Sequence, residues 1–286
     1  MRQSGGRLAI AGCLLTAAMM AGGPVGGAES PDAARDQALS RTEGDAPSGR
    51  GRHEVSAAER AAEDRYTAQR IRMVEEQLMG SRDGRLPVTD PRVLDVMRQV
   101  PRHKFMPAAV RDKAYDDHPL PIGEDQTISQ PYIVALMTQL AAVDAADTVL
   151  EIGTGSGYQA AVLAQLARVV YTIEIIEPLA RQAQRTLKTL GVKNVFVRVG
   201  DGYRGWPEAA PFDAIVVTAA APRIPEPLIE QLATGGRLVL PVGEAFQQLI
   251  VVTKTPTGLS HETVIPVRFV PMVGEIQRPS APATRP

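Results

Sequence analysis

A chain of 286 residues, 44% hydrophobic and 22% charged, has the length and composition for one α/β domain with additions. A formal net charge of −1 leaves no general basic field that would draw it to nucleic acid. The single cysteine, Cys13, excludes a disulfide framework and a cysteine-rich zinc site, and the four histidines (His53, His103, His118, His261) show no metal-ligand spacing.

Residues 1–28 read as a signal peptide: Arg2 and Arg7 precede an uncharged run from Leu8 to Ala21, and small residues lead to a cleavage point near Ala28. The run is short for a membrane span. Ile10–Cys13 resembles a lipoprotein cleavage box, although the apolar run continues past Cys13. The alternative is a translation start downstream of Met1. Residues 29–65 hold Ala, Gly, Ser, Pro and mixed charge with almost no large apolar side chains, which predicts a disordered linker; residues 276–286 read likewise as a disordered tail. The folded body is expected over 66–275, with a helical part at 66–145 and an α/β core at 146–275.

Within that body, Ile71, Val74 and Leu78 give the stretch Tyr66–Met79 the spacing of an amphipathic helix. A second helix lies between Pro91 and Pro101, with Thr89 or Asp90 as its cap. The segment 116–131, punctuated by Pro119, Pro121, Gly123 and Pro131, reads as loop, and 132–143 as helix. From Thr148 strands alternate with helices: strands at 148–152, 169–174, 194–200, 212–220 and 236–243, helices at 156–166, 178–190 and 225–232. The segments 248–255 and 261–270 look like a closing hairpin. This alternation predicts an α/β fold with a doubly wound, mostly parallel, Rossmann-like sheet, preceded by a helical addition and ended by antiparallel strands. Ligands on such sheets sit at the carboxyl ends of the strands.

At the first of those ends stands Val149–Gln159, VLEIGTGSGYQ, with Gly153, Gly155 and Gly157 at alternate positions. A dinucleotide fingerprint needs a third glycine where Tyr158 stands. A P-loop needs Gly-Lys-Ser/Thr, which is absent, and a nucleophile elbow around Ser156 needs glycine where Thr154 and Tyr158 stand. Glu151 before the loop and Glu174 at the end of the next strand instead match the pattern of S-adenosylmethionine (SAM) methyltransferases. Glycines let backbone approach an amino-acid tail and ribose. Glu174 is placed to accept from the ribose hydroxyls, and Asp201, at the third strand end, from the adenine amino group. Each feature alone has a plain structural reading as a tight turn, a surface acid or a Gly-Asp-Gly turn. On successive strand ends they point together to a cofactor site comprising Glu151, Gly153, Thr154, Gly155, Ser156, Gly157, Tyr158, Gln159, Glu174, Asp201, Gly202 and Thr218.

The stretches LPIGEDQTISQPYIVALMTQL, VLEIGTGSGYQAAVLAQLA, VGDGYRGWPEAAPFDAIVVTAAAP, GGRLVLPVG and VRFVPM, in order over roughly residues 70–274, resemble the protein-L-isoaspartate O-methyltransferases. The resemblance implies transfer of the SAM methyl to the free α-carboxyl of L-isoaspartyl residues in damaged proteins. The ester then collapses without the enzyme to a succinimide, which starts repair. It implies that Gln126, Thr127 and Ile128 cover the cofactor and that Thr127, Ser129, Val267, Arg268, Phe269 and Val270 bind the peptide, with Val267–Pro271 as a peptide-binding strand. Ser129 is expected to orient the substrate carboxylate; its competing role is an N-cap for the helix that follows. His118 is expected to be structural or merely close to the site, and Trp206 to be packing. The partners implied are isoaspartyl-containing proteins and peptides, with no nucleic acid, no metal and a monomeric enzyme. The alternatives are a methyltransferase of another substrate, a non-catalytic SAM-binding protein, and an NAD-dependent oxidoreductase, which Tyr158 disfavours. The need for SAM favours the cytoplasm, and residues 1–28 favour export.

Overall fold

The computed structural model describes residues 56–80 and 84–277. The signal-like segment, most of the expected linker and the residues after 277 lie outside them. Helix α1 (Ala57–Met73) begins with a capping box: Glu59 N donates to Ser56 Oγ at 3.2 Å, and Ser56 N donates to Glu59 Oε2 at 2.8 Å. The helix therefore starts nine residues before Tyr66, inside the stretch expected to be linker. Its first turns are alanines and charges facing solvent, so no apolar stripe betrays them; only Arg70 and Met73 are buried. A π-helical turn, Val74–Leu78, follows. Helix α2 (Pro91–Gln99) is capped by Asp90, whose Oδ1 accepts from Arg92 N at 2.9 Å.

The stretch expected to be loop contains a hairpin, β1 (Leu120–Gly123) and β2 (Gln126–Ile128). Its turn residues Glu124 and Asp125 both have positive φ, 52° and 54°. That is the backbone of a type I′ turn without its usual Asn-Gly signal, and with Pro121 inside four residues of strand it reads as loop. Helix α3 (Pro131–Ala141) follows.

The main sheet comprises β3 (Thr148–Ile152), β4 (Val169–Glu174), β5 (Val195–Val199), β6 (Phe212–Val217), β7 (Leu232–Val242), β8 (Gln247–Thr255) and β9 (Gly258–Val267). Helices α4 (Tyr158–Ala164), α5 (Glu177–Thr189) and α6 (Glu226–Gln231) connect the parallel strands. The order is β5-β4-β3-β6-β7-β8-β9, parallel through β7 and antiparallel thereafter. All five residues of β3 are buried, as a strand covered on both faces must be. Alternate side chains feed two cores. Val149, Val170, Ala214 and Val216 pack with the N-terminal helices, and Leu150, Ile173, Ile215 and Val217 pack with Leu228 of α6 and with Met272 and Ile276. Strand order reverses between β3 and β6, so a crevice opens at their carboxyl ends. Several strand bounds differ from expectation: β6 ends at Val217 rather than at 220, and β9 starts at Gly258 rather than at 261. β7 starts at Leu232, directly after α6, and β9 ends at Val267, so residues 268–270 are not strand.

Candidate active site

The glycine loop is tied down from both sides of the crevice. Gly153 N and Thr154 N donate to Ile173 O at 2.8 and 3.2 Å, and the Thr218 hydroxyl donates to Gly153 O at 2.6 Å. A Cβ at position 153 would collide with Thr218 Oγ1, and φ there is 93°, so only glycine lets β3 turn this close to the end of β6. Gly155 N donates to Glu174 Oε2 at 2.7 Å, and Ile176 N donates to Glu174 Oε1 at 3.0 Å.

These residues line a cavity of about 840 Å³, its open mouth included. Gln126, Thr127 and Ile128 of the hairpin cover one side, and Val270–Val273 the other. Gly153, Thr154, Gly155, Ser156, Tyr158, Gln159, Glu174, Gly202 and Thr218, all expected at the cofactor, are brought together here. Glu174 is its one carboxylate, and among the described residues none that lines it carries a positive charge. A phosphate would meet a carboxylate that already holds the loop's Gly155 N–H, so the loop does not suit a pyrophosphate. A cationic ligand with ribose hydroxyls and an adenine, bounded by Ile173, Ile175 and Ile176, fits this lining.

Three expected contacts stand back from the cavity. Gly157 packs against Ala183 of α5. Glu151 is fully buried behind the loop, where Oε2 accepts from the Thr172 hydroxyl, itself 2.6 Å from the Thr154 hydroxyl. Oε1 has no partner among the described residues, and burial pushes the Glu151 carboxyl up to about 8. Asp201 accepts from Tyr203 N at 2.9 Å and from Glu275 N at 2.7 Å. In this structure its oxygens therefore hold a turn and the segment after β9.

A second cavity, about 1880 Å³, adjoins the first, and the two share Thr127, Ser129, Thr218, Val270 and Pro271. Val267, Arg268 and Phe269 line its far side. Ser129 is half-buried between the two, and its hydroxyl makes no hydrogen bond among the described residues. Sequence alone allowed it to cap α3. The structure assigns the N-cap position to Gln130, with no side-chain cap bond from that residue. Asp117 does the capping instead: Tyr132 N donates to its Oδ1 at 3.1 Å, while Gln130 Nε2, at 2.9 Å, and Arg85 bind Oδ2. Asp117 was missed, because a cap reaching back 15 residues leaves no local pattern.

Of the expected peptide-binding strand Val267–Pro271, only Val267 lies in a strand, at the end of β9, although all five residues line the second cavity. Phe269 N donates to Gln247 Oε1 at 2.6 Å, and Gln247 Nε2 donates to Phe269 O at 3.1 Å. Ala220 N donates to Val270 O at 2.8 Å. The backbone of 269–270 is thus largely satisfied within the chain. What remains toward the second cavity is side-chain surface and the outer edge of β9. His118, bonded to Pro119 O and 3.6 Å from Asp116, lines neither cavity. Trp206 packs edge-on against Tyr171, with the Arg198 guanidinium 3.6 Å from its ring centroid.

A reversed-order parallel sheet ending in a β8–β9 hairpin, with a glycine loop and a carboxylate at the switch point, is the fold of the SAM-dependent methyltransferases. The family model described as Protein-L-isoaspartate(D-aspartate) O-methyltransferase (PCMT) matches residues 73–277. This chain belongs to that family. The protein-L-isoaspartate O-methyltransferase of Opitutus terrae is 59% identical over 224 residues, 77% of this chain and 94% of that one. That of Synechococcus sp. (strain JA-2-3B'a(2-13)) is 56% identical over 220 residues, 74% of this chain and 88% of its own. Among solved structures, a protein-L-isoaspartate O-methyltransferase superposes with TM-score 0.62 at 30% identity, covering 66% of this chain and 63% of that one. A beta-aspartate methyltransferase (PCMT) from Plasmodium falciparum, in complex with S-adenosyl-L-homocysteine, superposes with TM-score 0.61 at 26% identity, covering 71% and 98%.

Proposed function

We propose that the first cavity holds the methyl donor and that the second holds an isoaspartyl residue, with the reaction at their shared wall. The enzyme is a protein-L-isoaspartate O-methyltransferase and uses SAM. When bound, SAM supplies an electrophilic methyl group. Glu174 would accept from the ribose hydroxyls, and the Gly155 carbonyl and Ser156 N–H, which make no backbone hydrogen bond among the described residues, would take the amino-acid tail. Thr127 and Ile128 exclude water from above. The isoaspartyl α-carboxylate, with a pKa of about 3.5, is ionised at neutral pH and needs no general base. Ser129 donates to one of its oxygens and leaves the other aimed across the shared wall. The observation that carries this is the unpartnered Ser129 hydroxyl between two cavities, with the capping role beside it filled by Asp117.

The test is Ser129→Ala, assayed with labelled SAM on matched isoaspartyl and aspartyl peptides. Loss of a hydrogen bond to a charged group lowers kcat about tenfold to hundredfold, with the Kd for SAM within about twofold. Equal losses in both, or label in the aspartyl peptide, defeat the assignment. We also infer a monomer that works without metal. It acts in the cytoplasm, where its donor is made, and an intact N-terminus on the protein from the soluble fraction supports this; a chain cut near Ala28 defeats it.

A further inference from the structure

Beyond the wall formed by Val267–Pro271 lies a third cavity, about 1630 Å³ with its mouth included, that the reaction does not use. It shares Val267, Arg268, Phe269 and Pro271 with the acceptor cavity, so the two lie against one short segment. That segment is held firmly: the Gln247 amide clamps the Phe269 backbone from both sides, and Ala220 exchanges hydrogen bonds with Val270 O and Met272 N. On the far side the cavity is bounded by the turn between β7 and β8, of which Glu244, Ala245 and Gln247 are lining residues.

The missing member of that turn is Phe246, and it is 91% exposed. Its projection is imposed by the turn. Gly243 has φ 124°, and a Cβ there would collide with the Phe246 carbonyl. Gly243 N is tied to Ala221 O at 2.9 Å, and Gln247 Nε2 reaches Glu244 O at 3.4 Å. A braced turn thus presents a large apolar ring to water at the rim of a groove that is separated from the acceptor cavity by one short segment. One exposed aromatic residue alone needs no explanation. One beside a groove that shares its wall with the acceptor cavity has a natural occupant, the rest of the peptide. Arg268, exposed and without an ion pair among the described residues, stands on the ridge between the two cavities.

We infer that the third cavity is a subsite for the polypeptide that flanks the isoaspartyl residue, and that Phe246 contacts an apolar side chain of that flank. This rests on the acceptor assignment given above. It makes the enzyme sensitive to residues several positions from the damaged one, and only in substrates whose flank is extended enough to follow the ridge.

The experiment compares Phe246→Ser and Phe246→Leu with the unaltered full chain. The substrates are an isoaspartyl tripeptide and two longer peptides, each extended on one side by four residues that include a leucine. The unaltered enzyme is expected to show a lower KM for one of the longer peptides. Phe246→Ser raises that KM about fivefold. The tripeptide KM, the kcat on each of the three peptides and the Kd for SAM stay within about twofold, and Phe246→Leu restores most of the gain. Equal KM values for enzyme and variant on all peptides overturn the subsite while leaving the acceptor assignment intact, because the tripeptide is still methylated. No methylation of any peptide by the unaltered enzyme overturns both. A change in sedimentation mass with Phe246→Ser makes this face a contact between copies and overturns the subsite.

Discussion

Glu151 and His103 oppose each other in their response to pH. Burial raises the Glu151 carboxyl from 4.5 to about 8, with the nearby Glu174 charge adding to it and the Thr172 hydroxyl opposing. Burial lowers the His103 imidazole from 6.5 to about 4, against the pull of Glu63. Between pH 4 and 6.5 the unfolded chain binds a proton at His103 that the folded chain does not, so that residue adds stability as pH rises. Between 4.5 and 8 the folded chain keeps a proton on Glu151 that the unfolded chain has lost, so stability falls as pH rises. Above pH 6.5 only the second effect remains of the two. The melting temperature should therefore decline from pH 6.5 to 8 in the natural protein, and Glu151→Gln should flatten that decline. An unchanged slope in the variant would mean that Glu151 is already ionised when folded. The sequence showed Glu151 as part of a motif but not its seat behind the loop. Burial of a strand-end acid depends on which helices cover the sheet, and no local spacing encodes that.

Among the elements, the β1–β2 hairpin carries Gln126–Ser129 to the seam of the two cavities, yet its turn is built from residues ill suited to it. Glu124 and Asp125 each hold a left-handed backbone, which costs an ordinary residue roughly 1 kcal/mol or more. Replacing them by Asn and Gly, the residues such a turn favours, should raise unfolding free energy by about 1 kcal/mol in urea titrations. Turnover should stay within about twofold, and a loss of stability would show that the acids are held by contacts of their own. The strands β3, β4 and β6 were legible because buried runs of Val and Ile admit few other readings. This hairpin was hidden by its short strands, its proline and its unusual turn. The start of α1 was also missed, although Ser56-Ala-Ala-Glu59 is a capping box that a reader could find. The long-range bonds of Asp117, Gln247 and Asp201 had no signal at all, because each joins its partner across 15, 22 and 74 residues.

For the molecule as a whole, the order of strands decides where chemistry sits, and that order follows from alternation and right-handed crossovers that sequence reveals well. The limits of the folded part were less legible. Glu63, inside the stretch expected to be linker, lies 2.9 Å from Lys104 and 3.4 Å from His103 Nε2, and Tyr66 stacks on the His103 ring. A chain beginning at residue 66 should thus unfold at lower denaturant than one beginning at residue 56. The loss of a helix cap and its first turns costs about 1–2 kcal/mol. Equal midpoints would return those residues to the role of linker.

One wall of the first cavity, Val270–Val273, is supplied from beyond the last strand and is anchored by Ile276, which is wholly buried, and by the Glu275 amide on Asp201. Every other wall is made earlier in translation. A nascent chain could form its sheet and glycine loop and still lack a closed pocket for the donor until these residues emerge. Capacity to bind SAM is then a report that synthesis has passed this point.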